Sequence, residues 1–163
     1  GDTRMGPFKG VSQKYVRRLC DEFTASGFPA SYSDNIRREL WMKVIVNNSI
    51  NPLTAIARVE NGALMRIPQL HSLMQLASVE GAAVARAEGF DISDREAIAE
   101  SERVAMRTAM NRSSMLQDVE RGRRTEIAEI SRAIVEAARK HGIKVPTTET
   151  LALTVAGLPA SSG

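Results

Sequence analysis

Three times along this chain an apolar helical pattern stops at a glycine followed by an apolar residue: Gly27-Phe28, Gly89-Phe90 and Gly142-Ile143. Glycine takes the left-handed conformation that ends a helix without a Cβ penalty, and the apolar residue behind it packs back on the last turn. Pro29 and Pro146 follow two of these ends, where a helix cannot continue. A chain punctuated in this way is confined largely to consecutive helices.

The helices follow from periodicity. Tyr15, Leu19 and Phe23, four apart, predict the first, starting at Val11. A second runs from about Ser33 to Asn48; Pro52 then breaks or restarts it, leaving a short helix over Thr54–Arg58 and a turn at Glu60-Asn61-Gly62. Pro68 opens a long helix to Glu88 with the inward stripe Leu70, Leu73, Met74, Ala77, Gly81 and Val84. Ala77 and Gly81 let a neighbour approach closely. Ser93 with Glu96 makes a capping box for a helix to about Met110, whose weak stripe (Ile98, Ala105, Ala109) predicts an exposed element. Ser114 with Gln117 is a second box, opening a short helix that ends before Gly122. Thr125 caps a helix with the strong stripe Ile127, Ile130, Ile134, Ala137 and Ala138. The last helix runs Pro146–Val155, with Thr147 or Thr148 as its cap. Only residues 3–9 offer a candidate strand. With aromatics at 4% and Leu, Ile, Val, Met and Ala dominating the apolar set, the fold class is all-α, with about seven or eight helices.

A length of 163 residues suits one domain with a real core. The net charge of +3 arises from 22 basic and 19 acidic residues interspersed along the chain. No basic run with interleaved aromatics appears, so no nucleic-acid partner is expected. Cys20 is the single cysteine; it excludes an internal disulfide and reads as a small buried hydrophobe. No Cys/His cluster has metal-ligand spacing. Without a signal peptide or an apolar run long enough to span a bilayer, a cytoplasmic location and no membrane partner are expected. The first residue is Gly1 rather than Met, which suits a fragment or a trimmed chain.

One stretch departs from generic helical protein. In a helix starting near Asp34, the face that opens with Ile36 and Leu40 continues with Lys43, Asn47 and Asn51 at four-residue steps. An apolar stripe faces a core, so its polar continuation is expected to point inward too. A buried ammonium is costly unless paired, which predicts a lined cleft. The other open reading is a surface lysine followed by asparagines that cap a helix end before Pro52.

A second polar constellation runs Asn111-Arg112-Ser113-Ser114-Met115-Leu116-Gln117-Asp118, then Gly122-Arg123-Arg124-Thr125-Glu126-Ile127. Ser114 and Asp118 share a helix face, although capping explains the serine and the helix dipole the aspartate. Glycine-rich phosphate loops, GxSxG elbows and HExxH are all absent. His71 and His141 read as surface residues.

Together these motifs, Trp41-x-Lys43-x-x-x-Asn47-x-x-x-Asn51-Pro52-Leu53-Thr54-Ala55, then Asn61-Gly62, then Ser113 to Asp118 and Thr125-Glu126-Ile127, resemble the ketopantoate reductase (2-dehydropantoate 2-reductase) family. The likeness is to its C-terminal helical domain and covers about residues 31 to 157; residues 31–163 would be that catalytic and substrate domain. Residues 1–30 resemble the last strand and helix of the family's dinucleotide-binding domain, whose glycine-rich loop the chain lacks. The resemblance implies NADPH-dependent reduction of ketopantoate to pantoate, on the route to pantothenate and coenzyme A, by a homodimer that uses no metal. It implies Lys43 as catalytic general acid, with Glu126 as a second catalytic residue near the lysine and the cofactor. Asn47, Asn51, Asn61, Asn111, Ser113 and Ser114 match substrate contacts, and Asp118 a supporting position. Arg112 departs from the expected smaller or apolar residue and bears on which 2-keto acid fits. The chain alone is expected to be inactive without the cofactor-binding domain. The competing expectation is a helical dimerisation or interaction module without chemistry.

Overall fold

The structure, a computed structural model, describes residues 3–123 and 127–158. Among the described residues the chain forms eight helices and a two-stranded sheet, so the all-helical expectation holds apart from a small β element. Two compact units are present, residues 1–41 and 42–163.

In the first unit, β1 (Thr3–Met5) lies parallel to β2 (Ala30–Tyr32), with Thr3 opposite Ala30 and Met5 opposite Tyr32. Between them runs α1 (Gln13–Ala25), which buries Val16 and Cys20. β2 was not expected from sequence: three residues are too few to show alternation, and only the parallel pairing reveals it. The guanidinium of Arg17 stacks 3.7 Å from the Tyr32 ring centroid. Glu39 accepts from Arg4 at 2.8 Å and from the Ser33 hydroxyl at 2.7 Å.

The second unit is built around α2 (Ile36–Ala57), a single helix that contains Pro52. The expected break does not occur. Proline forfeits one backbone hydrogen bond, but the Thr54 hydroxyl lies 3.1 Å from the Ile50 carbonyl and 3.0 Å from that of Asn51, and the surrounding core holds the turn. Val46, Ile50 and Leu53 of α2 form one cluster with Leu64 of α3 (Ala63–Arg66), Met74 and Ala77 of α4 (Pro68–Ala87), Ala105 of α5 (Asp94–Arg107) and Leu151 of α8 (Pro146–Ala156). A smaller cluster joins Ala55 to Met115 and Val119 of α6 (Ser114–Glu120) and to Val155. The eighth element, α7 (Ile127–Lys140), buries Ile134 and Ala138.

Buried polar side chains tie α2 to its neighbours. The Asn48 amide donates to Thr148 Oγ1 at 3.1 Å and its carbonyl oxygen accepts from Ser131 Oγ at 3.0 Å. The Ser101 hydroxyl lies 3.0 Å from that of Ser49 and 2.9 Å from that of Ser78.

Helix ends match the opening expectation. Gly27, Gly89 and Gly142 all have positive φ. Phe28, Phe90 and Ile143 each donate a backbone N–H to the carbonyl five residues back, at 2.9–3.0 Å. Close approach at Gly81 is also realised: a Cβ there would sit 3.0 Å from Ile45 Cγ1. Ser93 caps α5 through Glu96 N, as read from sequence.

Other local expectations need correction. α5 is packed rather than exposed, through Ala97, Ser101 and Ala105; its inward stripe contains a serine, so an apolar count overlooks it. The cap of α6 is Ser113, whose Oγ accepts from Leu116 N, not Ser114. Neither Thr147 nor Thr148 caps α8. Instead Glu80 of α4 accepts from both of their backbone N–H groups, at 2.8 and 2.7 Å, a carboxylate at the positive end of a helix. Thr125, the expected cap of α7, lies outside the described residues.

His71 is half-buried, not a free surface residue: its Nε2 lies 2.7 Å from Glu102 Oε1, which also accepts from Gln75 at 3.0 Å. Burial pushes the Glu102 carboxyl up, but hydrogen bonds from Gln75 and His71 outweigh it and hold the group below its ordinary value. Lys140 and, after it, His141 likewise hold Glu88 below its ordinary value by hydrogen bonding to it.

Two outcomes follow from these contacts. Asn48→Ala strands two buried hydroxyls and should cost about 2–3 kcal/mol in urea unfolding; a loss within error of zero would show that the network is dispensable. A carboxyl lowered in the folded state stabilises above its unfolded pKa, and that contribution is lost as pH falls through the lowered value. The decline in melting temperature from about pH 5 to about pH 3 should therefore be shallower in Glu102→Gln than in the parent chain.

Candidate functional site

Lys43, Asn47 and Asn51 lie on one face of α2, and the eight residue steps from first to last span about 12 Å of helix. Their burial is graded: Lys43 is exposed, Asn47 half-buried and Asn51 only 8% exposed. The expectation of an inward Lys43 is corrected, because α2 enters the core only from Ile45 onward. The same face nevertheless descends from an exposed ammonium to a buried amide. Glu126, expected to supply the carboxylate beside Lys43, lies outside the described residues.

At the buried end of this face three chain segments meet. Thr54 Oγ1, on the turn after Asn51, lies 2.7 Å from Ser113 Oγ at the start of α6. In the turn after α2, Asn61 N–H donates to the Asn111 carbonyl and Gly62 N–H to that of Ala109, both at 3.0 Å. Gly62 is required by this approach: a Cβ would fall 2.7 Å from the Ala109 Cβ. The α2–α3 turn and the α5–α6 loop are thereby locked together, bringing Asn61, Asn111, Ser113 and Ser114 into one neighbourhood.

Their side chains differ in what they can offer a ligand. Ser113 is buried, with its hydroxyl engaged by Leu116 N–H and Thr54. Asn111 and Ser114 are exposed. The Asn61 amide donates to Thr108 Oγ1 at 2.8 Å, while its carbonyl oxygen is buried without a hydrogen-bond partner. An unmatched buried acceptor costs about 1–3 kcal/mol, so a donor from a bound molecule would be rewarded there. Asp118 is half-buried, and its backbone carbonyl accepts from Arg123 N–H at 2.8 Å where α6 ends. Thr54, quoted in the motif without a role, and Thr108 position Ser113 and Asn61; a threonine within a helical stretch carries no signal until its partner is known.

An exposed ammonium, a row of amides and a hydroxyl at a helix start suit a small, polar, oxygen-rich molecule with negative charge. Among the described residues no group of three or more His, Cys, Asp or Glu could hold a metal ion, and no helix is long and apolar enough to cross a membrane.

Comparison with known proteins identifies the family. A family model described as ketopantoate reductase PanE/ApbA C terminal matches residues 35–158. The 2-dehydropantoate 2-reductase of Halobacterium salinarum is 40% identical over 152 residues, 93% of this chain and 50% of that protein. A PanE/ApbA family ketopantoate reductase structure from Ralstonia eutropha JMP134 superposes with a TM-score of 0.83 at 35% identity, covering 96% of this chain and 50% of that one. D-mandelate dehydrogenase, solved with NADH and anilino(oxo)acetate, gives a TM-score of 0.88 at 27% identity over 95% of this chain and 65% of that one. The chain spans about half the length of the ketopantoate reductases it matches. By family match, fold and motif order together, the chain belongs to the ketopantoate reductase family, as its C-terminal domain.

Proposed function

We propose that this chain is the substrate-binding and catalytic half of an NADPH-dependent reductase that converts ketopantoate to pantoate, on the route to pantothenate and coenzyme A. The observation that carries the reading is the graded face of α2, leading from exposed Lys43 through Asn47 to Asn51 and the junction of Asn61 with the Asn111–Ser114 loop. Lys43 acts as the general acid: its ammonium protonates the carbonyl oxygen as that oxygen gains negative charge, with Glu126 as the second catalytic residue by its match to the family's glutamate. Asn47, Asn51, Asn61 and Asn111 bind the substrate through their amides. Ser114 contacts it through a hydroxyl that Ser113, committed to the helix cap, does not have free. Asp118 supports the short helix.

The chain does not itself fit the dinucleotide, because its sequence holds no glycine-rich phosphate loop. NADPH supplies the hydride in this reading and is bound by residues beyond this chain, with residues 1–30 the end of that binding domain. In support, the first unit has two parallel strands among the described residues, whereas parallel sheets are stable when extended and covered on both faces. It also leaves Phe8, Tyr15, Phe23, Phe28 and Leu40 exposed. A homodimer belongs to the same reading, with the exposed Leu76, Met110 and Leu153 as apolar surface available for it.

The purified 163-residue chain should show no ketopantoate-dependent oxidation of NADPH; measurable turnover would contradict the division of labour proposed here. In the full-length reductase, Lys43→Ala should lower kcat by about 10²–10⁴-fold. Because Lys43 is exposed, the thermal midpoint should stay within error of the parent. An unchanged kcat would remove Lys43 from the mechanism.

A further inference from the structure

Alongside the junction, the α5–α6 loop and α6 border an open pocket of about 450 Å³ lined by Asn111, Arg112, Gln117, Glu120 and Arg121. Every lining side chain is polar or charged, and the volume falls within the usual range for small-ligand sites. Arg112 forms an ion pair with Glu120, and its backbone carbonyl accepts from Gln117 Nε2 at 2.9 Å. The loop is therefore fastened to the helix at two points, and the Arg112 guanidinium is held at the rim rather than left free in solvent.

The charges do not cancel. The lining holds two guanidinium groups, Arg112 and Arg121, against one carboxylate, Glu120, so its formal charge is positive. A cation would be repelled, and an apolar ligand would find no apolar wall. The C-terminal end of α6 accounts for one cation at Arg121. It does not account for a second guanidinium on the same lining, fastened to α6 through Glu120. Gln117 and Arg121 also continue the helix face that starts at Ser114, three and seven residues on, which sets the pocket next to the proposed substrate contacts.

We propose that this pocket binds a small oxyanion, a carboxylate or phosphate group. Arg121 supplies the charge and Arg112 a fork of donors. Planar guanidinium groups match such anions with paired hydrogen bonds. The site goes beyond the reductase reading, and its binding test does not depend on turnover.

The test is phosphate binding to the full-length protein, followed by ³¹P line broadening and by calorimetry. Arg121→Gln and Arg112→Gln should each weaken phosphate about tenfold. Glu120→Gln should tighten it, because the Arg112 charge is then released to the ligand. All three side chains lie on the surface or at its edge, so the variants are expected to fold, and the opposite sign for Glu120→Gln distinguishes the site from general loss of structure. If the pocket takes the carboxylate of the keto acid, phosphate competes with ketopantoate and Arg121→Gln raises KM about tenfold. If it takes a separate anion, the two bind together and KM is unchanged. Phosphate affinity that is absent, or indifferent to all three substitutions, would overturn the proposal.

Discussion

The second unit depends on a helix that is buried nearly all round and is not apolar. From Ile45 to Ala55 every residue of α2 except Asn47 is buried, and the set includes Asn48, Ser49, Asn51 and Thr54. A buried polar group without a partner is costly, so each such side chain restricts what can lie beside it. Asn48 specifies Ser131 of α7 and Thr148 of α8; Ser49 specifies Ser101 of α5 and, through it, Ser78 of α4; Thr54 specifies Ser113 at the start of α6. Five surrounding helices are thus set in rotation and height against one helix by pairings that a slide of one residue would break. Apolar contacts supply the bulk of the stabilisation, but a layer of Val, Ile, Leu and Ala tolerates such a slide far better.

This explains which parts of the fold were legible in the sequence. Helix ends were, because Gly27, Gly89 and Gly142 act through local backbone conformation and the adjacent apolar residue. Features set by distant partners were not. Pro52 reads as a break because the local rule knows nothing of the core around it or of the Thr54 hydroxyl. The cap of α8 comes from Glu80, 67 residues before Thr147, and no local box can reveal it. α5 reads as exposed because its inward stripe is Ala, Ser and Ala, and Ser101 counts as polar until its two hydroxyl neighbours are seen. For α6, Ser113 and Ser114 both offer a capping hydroxyl; only the geometry chooses Ser113, and that choice leaves Ser114 exposed.

The candidate site shows the same split. Spacing alone placed Lys43, Asn47 and Asn51 on one face, but not the point along α2 at which that face sinks beneath the surface. Asn61 and Asn111 are 50 residues apart, and their backbone hydrogen bond is a long-range event that only the motif order of the family hinted at. Gly62 links local and long-range terms: a glycine in a turn is unremarkable in sequence, yet here it admits Ala109 closer than any side chain would allow.

An exposed Lys43 places a physical condition on the proposed chemistry. In bulk water a charge pair at about 4 Å is worth about 1 kcal/mol, and several times that when partly shielded from solvent. A general acid that must stabilise a developing alkoxide therefore works best where water is excluded. On α2 that exclusion is far advanced at Asn51, which is buried, and weak at Lys43, which is exposed. If Lys43 is the acid, residues 42–163 by themselves do not supply that exclusion at its ammonium. The gradient of burial is set by the helical core itself: it fixes the amide at Asn51 beneath the surface and leaves Lys43 exposed.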